Sequence, residues 1–357
     1  MTNTNRRTIT VYGATGAQGG PVVRSLLKNN AFKVRAITRK PESEAAKALA
    51  DLGAEIVQGD GWKKEQMVAA FSGSWAAFVN TNSDDPCFWD ANHPTEFDLG
   101  KIIIDGIIQA GTVKHLVYSS FVDTSSFTNG QAIIEAADEK SKIERYAASS
   151  GHFDTVCPLY QGWYMDVFRG QEYAHALGGF PYFEDEDKFR TLRLPRWGTH
   201  TDMPLPWISL EDDFGDIVHG IFLTPEDYNG RVVPTVSDIR TYPEMIDAFQ
   251  SGMPSLFWFL VCRLTSVHAL ATGQKARYIP VTDWEAHFGD SHHGKESLAI
   301  FKFGKFTNGK YFGDEPISTD ISATLKAKAA EAQGKDPSDR KLITLVEWFE
   351  KHVAPLL

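Results

Sequence analysis

The sequence predicts an α/β protein: a doubly wound parallel sheet with a smaller, loop-rich α/β substrate region at its carboxyl edge. Three observations carry this. Over the first 160 residues short apolar runs alternate with helical patterns, the rhythm of strand–helix–strand units. The first run ends in a glycine-rich turn, Gly13-Ala14-Thr15-Gly16-Ala17-Gln18-Gly19-Gly20, that opens a helix. After Pro158 the rhythm breaks into a stretch rich in aromatics, proline and glycine.

Ile9-Thr10-Val11-Tyr12 reads as the first strand, stopped by Gly13. Val22, Val23, Leu26 and Leu27 share one face of the next helix, and Pro21 is tolerated there because it falls in the first turn. Val34–Thr38 is the second strand. Helix Ser43–Leu52 follows and stops at Gly53. Ala54–Gln58 and Trp75–Asn80 are strands three and four. Glu96–Ala110 places Phe97, Leu99, Ile103, Ile107 and Ile108 at helical spacing before Gly111. His115–Ser119 is strand five, Ile133–Ser149 a helix and Phe153–Cys157 strand six. Residues 1–160 therefore form the expected dinucleotide-binding domain. Residues 161–357 form the smaller region, with elements at about 208–240 returning to the main sheet: a helix near Asp212–Leu223 and a strand at Arg231–Val236. Pro243–Gln250 is a further helix, and Lys341–Val353 closes the chain as an amphipathic one.

Composition narrows the functional classes. The chain has 357 residues, 42% apolar and 23% charged, a globular balance. Acidic residues outnumber basic ones by 46 to 36, for a net charge of −10, and no basic patch offsets it, so nucleic acid is not an expected partner. Cys87, Cys157 and Cys262 are too scattered for a disulfide framework or a zinc site. Adjacent His292 and His293 point apart and lack a third ligand, so no metal is expected. The acidic run Glu184–Asp187 reads as a solvated loop. Met1–Thr8 is polar, unlike a secretory signal. The longest apolar run, Leu256–Cys262, is far short of the roughly 20 residues a spanning helix needs. The expected location is cytoplasmic, or nuclear for a regulator.

The glycine turn has the composition a pyrophosphate needs: small residues let the backbone approach the anion, and the helix N-terminus supplies N–H groups and a positive dipole end. An acidic residue at the end of strand two would bind the ribose hydroxyls of NAD. The chain has Thr38-Arg39-Lys40 instead, two cations where a 2′-phosphate would sit, which favours NADP over NAD. An exposed basic turn is the other reading of the same residues. Asp60, ending strand three, and Asn80-Thr81, ending strand four, are expected to flank the adenine and ribose.

VYGATGAQGG, ITRKP, QGD, FVNTNSD, HLVYSS before a helix containing Lys140, and PLPWISLEDDFGDIVHGIF from Pro204 resemble the NmrA-like family of atypical short-chain dehydrogenases. The resemblance spans about residues 8 to 290. It implies a Rossmann fold and a nicotinamide cofactor, with Gly13, Thr15, Gly16, Gln18 and Gly19 along the pyrophosphate, Arg39 and Lys40 at the 2′-phosphate, and Lys140 near the nicotinamide. The family includes nicotinamide-sensing regulators and NADPH-dependent reductases. One departure matters: typical short-chain dehydrogenases carry a tyrosine four residues before the lysine, and here Ala136 precedes Lys140 and Asp138 precedes Lys142. Tyr118 and Tyr146 read as packing residues. Lys140 itself becomes the expected catalytic residue, a proton donor or ribose anchor, against the alternative of a surface pair with Glu144. Ser119 or Ser120 would bond a substrate carbonyl, or cap the next segment. Trp163 and Tyr164, with Phe168, would wall an apolar substrate, or pack the smaller region.

Two functions follow. One is an NADP-dependent reductase of a small hydrophobic carbonyl or enone, with a role in secondary metabolism. The other is a non-catalytic NAD(P) sensor that binds a transcription factor or other protein. Gly252–Ala271 fits neither: Met253-Pro254-Ser255 and a solid apolar run stand where the resemblance expects almost no residues. Gly252-Met253 can be encoded by GGTATG and Leu264-Thr265 by CTAAC with any following base, like a splice donor and a branch point. The expectation is a translated, unspliced intron; an apolar patch for oligomer or membrane-surface contact is the alternative.

Overall fold

In the computed structural model, which describes residues 6–89, 94–199, 203–253 and 275–357, the apolar runs become strands β1 (Arg7–Tyr12), β2 (Phe32–Thr38), β3 (Glu55–Gln58), β4 (Ala76–Val79), β5 (His115–Ser120) and β6 (Thr155–Gln161). Between them lie α1 (Gly19–Leu27), α2 (Glu44–Asp51), α3 (Lys64–Phe71), α4 (Glu96–Ala110), the short α5 (Thr124–Phe127) and α6 (Glu135–Ser149). Beyond β6 come β7 (Trp163–Tyr164), α7 (Gln171–Ala174), β8 (Arg190–Leu194), β9 (Leu205–Ile208), α8 (Gly215–Leu223) and β10 (Val233–Thr235). The main sheet runs β10-β6-β5-β4-β1-β2-β3 with every pair parallel, so the predicted doubly wound sheet is present and has a seventh strand. β4 and β5 are buried at every residue, as strands covered on both faces must be.

The helix ends follow from their caps. Thr95 and Asp98 form a capping box that starts α4, and Gly111, at φ 77°, stops it. Ser43 accepts the Ala46 N–H to start α2. Strand six is longer than its sequence suggests, because Pro158 does not end it. β10 pairs only from Leu159 onward, so the missing N–H of Pro158 costs no ladder bond on that side. The helix expected from Asp212 begins only at Gly215, after a π-turn at Leu210–Phe214.

The chain divides into two compact units. The first comprises Met1–Gln161, Leu210–Thr235 and Phe312–Leu342. Its division thus differs from the expected one by taking back Phe312–Leu342 as well, with the helix Asp320–Ala332 packed on α8, where Gly220 lets the Leu325 backbone approach. The second unit comprises Gly162–Ser209, Val236–Tyr311 and Ile343–Leu357. Its described residues hold two small sheets: β11 (Asp238–Arg240), β9 and β7 in that order, and β8 beside β12 (Ala276–Pro280). Helices α9 (Tyr242–Gly252), His292–Phe306 and Leu345–His352 pack with them around an aromatic core that includes Phe168, Phe180, Trp207, Phe249, Trp348 and Phe349. The acidic run is not simply solvated: Asp185 and Asp187 both pair with Arg277, each at 2.7 Å.

No helix among the described residues is long and apolar enough to cross a membrane. The stretch expected to be a translated intron lies outside the described residues except for its first two, Gly252 and Met253. Both are buried, Gly252 against the Val346 backbone and Met253 in the aromatic core. The flanks meet directly, since the Gln250 side chain accepts the Ala276 N–H at 3.1 Å.

Candidate functional site

The carboxyl ends of β1, β2, β4 and β5 in the first unit gather most of the expected site residues. Gly13 turns at φ +76°, and a Cβ there would stand 2.8 Å from the Asn80 carbonyl oxygen. A Cβ on Gly19 would stand 2.2 Å from the Gly13 carbonyl oxygen, so both positions exclude side chains on close approach alone. The Gly16 N–H closes the turn on Gly13 O at 3.0 Å. Thr15, Gly16 and Ala17 form an exposed crest of small residues, while Gln18 and Gly19 are buried. α1 opens with no acidic residue in its first turn and no side-chain cap from Gln18, in contrast to the capping box of α4. This donor set, small residues and an unopposed positive helix end, fits a pyrophosphate.

At the end of β2, Arg39 is 62% exposed and its Nη1 contacts Asp85 Oδ2 at 3.1 Å. Lys40 is exposed as well, and its backbone N–H bonds Thr38 Oγ1. Asp60 is occupied locally: its Oδ1 accepts the Trp62 N–H and its own N–H bonds Gln66 Oε1. Asn80 supplies the backbone against which Gly13 packs, and Thr81 belongs to a different arrangement.

That arrangement centres on Lys140. Its ammonium donates to Thr81 O at 2.7 Å, Thr81 Oγ1 at 3.1 Å and Glu96 Oε1 at 2.8 Å. Glu96 is 4% exposed and Lys140 14%, so this is a buried ion pair. Thr81 gives its own hydroxyl proton to Glu96, which leaves Thr81 Oγ1 to accept from Lys140 and from the Tyr118 hydroxyl, 3.2 Å away. An ammonium has three donors, and all three are engaged. Burial, then the negative charge of Glu96, holds the Tyr118 hydroxyl protonated far above its ordinary range.

The alternative pairing of Lys140 with Glu144 is absent. Glu144 instead accepts from Ser120 Oγ at 2.6 Å, and burial pushes its carboxyl above the usual range. Ser119, on the opposite face of β5, has a fully buried hydroxyl that finds no partner among the described residues. Lys142 pairs with Glu139 and Tyr146 bonds Asp105, each away from Lys140. Trp163 and Tyr164 stand in the second unit, and the Trp163 ring lies between 5.6 and 6.4 Å from those of Phe301, Trp197, Trp207 and Tyr311. His292 and His293 both approach Glu296, a helical neighbour, at 3.6 and 4.0 Å. Sequence reasoning missed Glu96 and Asp85, and it offered Glu144 as a partner of Lys140 when its partner is Ser120. Glu96 had a signal, an acid in the first turn of a helix at the sheet's carboxyl edge, but it served there only to mark the start of α4.

A parallel sheet in the order three-two-one-four-five-six, with a glycine turn after β1, defines a dinucleotide-binding protein of the Rossmann class. The chain belongs to the NmrA-like family, whose model matches residues 5–255. It is 81% identical over 357 residues to the NmrA-like family domain-containing oxidoreductase notA of Aspergillus sp. (strain MF297-2), covering 100% of both chains. Among solved structures it is similar to NmrA, a negative transcriptional regulator, in complex with NAD (TM-score 0.69, 21% identity, 98% of this chain and 96% of that one). NmrA has also been solved in complex with NADP. The triphenylmethane reductase of Citrobacter sp. complexed with NADP(H) is similar as well (TM-score 0.62, 18% identity, 97% and 99% covered). At these identities the structural likeness speaks for the fold.

Proposed function

We propose that the protein is an NADP-dependent oxidoreductase that reduces a small hydrophobic carbonyl or enone in fungal secondary metabolism. The carrying observation is the small-residue turn that opens α1 at the sheet's carboxyl edge, with Arg39 exposed at the end of β2 and the Lys140 ammonium at that same edge. The donor set of the glycine turn supports a nicotinamide dinucleotide, and Arg39, with Lys40, supports the 2′-phosphate. The relative named an oxidoreductase supports turnover. When bound, the nicotinamide supplies the hydride. Ser119 Oγ would donate to the substrate oxygen. Lys140 would hold ribose or deliver a proton, releasing its longest contact, Thr81 Oγ1, to do so. The test is oxidation of NADPH against a panel of quinones and enones, with Ser119→Ala and Lys140→Met as controls. Turnover lost in both variants is the expected result; parent protein that binds NADPH and turns over none of the panel overturns it.

A second reading, a sensor that binds NAD(P) and a protein partner without turnover, has one observation in its favour. Every donor of Lys140 is already satisfied within the chain, and the tyrosine of typical relatives is replaced by Ala136. Binding of NADPH without oxidation would select it.

A further inference from the structure

Strand two ends without the acidic residue that would bind the ribose hydroxyls of NAD, yet an acid stands there all the same. It comes from elsewhere in the chain. Asp85 follows β4, 46 positions after Arg39, and places Oδ2 3.1 Å from the Arg39 guanidinium. Its position is fixed by the turn it starts: Asp85 Oδ1 accepts the Cys87 N–H at 3.2 Å, and its own N–H bonds Asn82 O. Asp85 is the half-buried member of the pair, with 19% of its side chain exposed against 62% for Arg39. The cation is therefore the solvent-facing partner and the carboxylate the anchored one. Burial opposes the charge on Asp85, but the Cys87 N–H and Arg39 outweigh it and hold the carboxyl below its ordinary range.

This pair has opposite consequences for the two dinucleotides. A 2′-phosphate arriving at Arg39 would bring a second anion to a guanidinium that already carries one, against the charge of an anchored carboxylate. A plain ribose would bring hydroxyl donors to that same carboxylate, the contact an acid at the end of strand two makes in NAD-binding folds. We propose that Asp85 is a specificity-determining residue that lowers the preference for NADPH over NADH that Arg39 confers. The proposal rests on the reading of Arg39 as the 2′-phosphate partner.

The test measures dissociation constants of NADPH and NADH, and of the nicotinamide-free probes 2′,5′-ADP and 5′-AMP, by titration calorimetry. Asp85→Asn and Asp85→Ser both keep an acceptor for the Cys87 N–H, so both retain the turn while losing the charge. Each should raise the NADPH-over-NADH affinity ratio by about tenfold at low salt, with the same trend for 2′,5′-ADP over 5′-AMP and a smaller one at high salt. An unchanged ratio in both variants, with Arg39→Ala still narrowing the NADPH preference, overturns the role of Asp85 and leaves that of Arg39 intact. An Arg39→Ala variant that binds both cofactors like the parent overturns the Arg39 reading, and the Asp85 proposal falls with it.

Discussion

The two units solve the problem of a stable interior by different means. The first unit buries ionisable groups and satisfies them. Lys140 meets Glu96 and Thr81, and Lys326 meets Asp213. His219 sits in a cage with Ser25, Asn29 and Gln333, beside Asp216 and Lys335. The second unit buries rings. Phe168 alone has Phe180, Trp207, Phe349 and Trp348 with centroids 5.5 to 6.5 Å away, and Phe180 lies 4.8 Å from Phe249. Rings draw stability from area and shape, whereas buried charges draw it from geometry and lose heavily when one partner goes. Charge inside the first unit costs desolvation, and a fold keeps such groups where they orient something. That is why its ionisable clusters are the place to look for chemistry.

The largest test of this contrast is Phe168→Ala, which should cost about 3–5 kcal/mol in urea denaturation, the scale of a truncated core aromatic. A loss below about 1 kcal/mol would show that the aromatic core is not what stabilises the second unit. Lys140→Met should cost about 3 kcal/mol by stranding Glu96, and should cut any reductase rate by about 10²-fold. Adding Glu96→Gln should restore part of the stability and none of the rate, which separates a structural ion pair from a catalytic ammonium. Lys142→Met, which loses only a contact at an exposed position, should change neither.

Acid should weaken the first unit through His219. Burial, against the opposing pull of Asp216, lowers its pKa from the ordinary 6.5 to about 4. The unfolded chain therefore takes up a proton at higher pH than the folded one. Stability from this group is complete above pH 6.5 and is lost as the pH falls toward 4, by about 3 kcal/mol. His219→Gln should flatten that part of the pH–stability curve; an equally steep fall in the variant would assign the effect to other groups. Arg39→Ala should narrow the NADPH-over-NADH difference by at least ~1.5 kcal/mol, read by calorimetry. The last expectation carries no energy. Mature messenger RNA should lack the codons for roughly Gly252–Ala271, on the strength of the splice-like codons at Gly252-Met253 and Leu264-Thr265. Transcript sequencing that retains them would end the intron reading.

Much of the site could be read in the chain. The positive φ of Gly13 and the close approach of Gly19 to the Gly13 carbonyl answer local demands of the backbone, and the caps Thr95 and Ser43 act over three residues. Such features depend on neighbours in sequence and survive without knowledge of the fold. The partner of Lys140 did not: helical spacing offers Glu144, one turn on, whereas the fold delivers Glu96 from 44 positions away.

By itself the sequence determined the α/β class, the strand–helix alternation, the glycine turn and the family, because apolar period and turn chemistry are short-range properties of the chain. The tertiary structure alone decided the return of Phe312–Leu342 to the first unit, the closed network around Lys140 and the seating of Arg39 on Asp85. Each joins residues far apart in sequence. Whether two charges meet depends on which loops end at the same edge of the sheet, and that follows from how the strands are ordered, not from any local pattern.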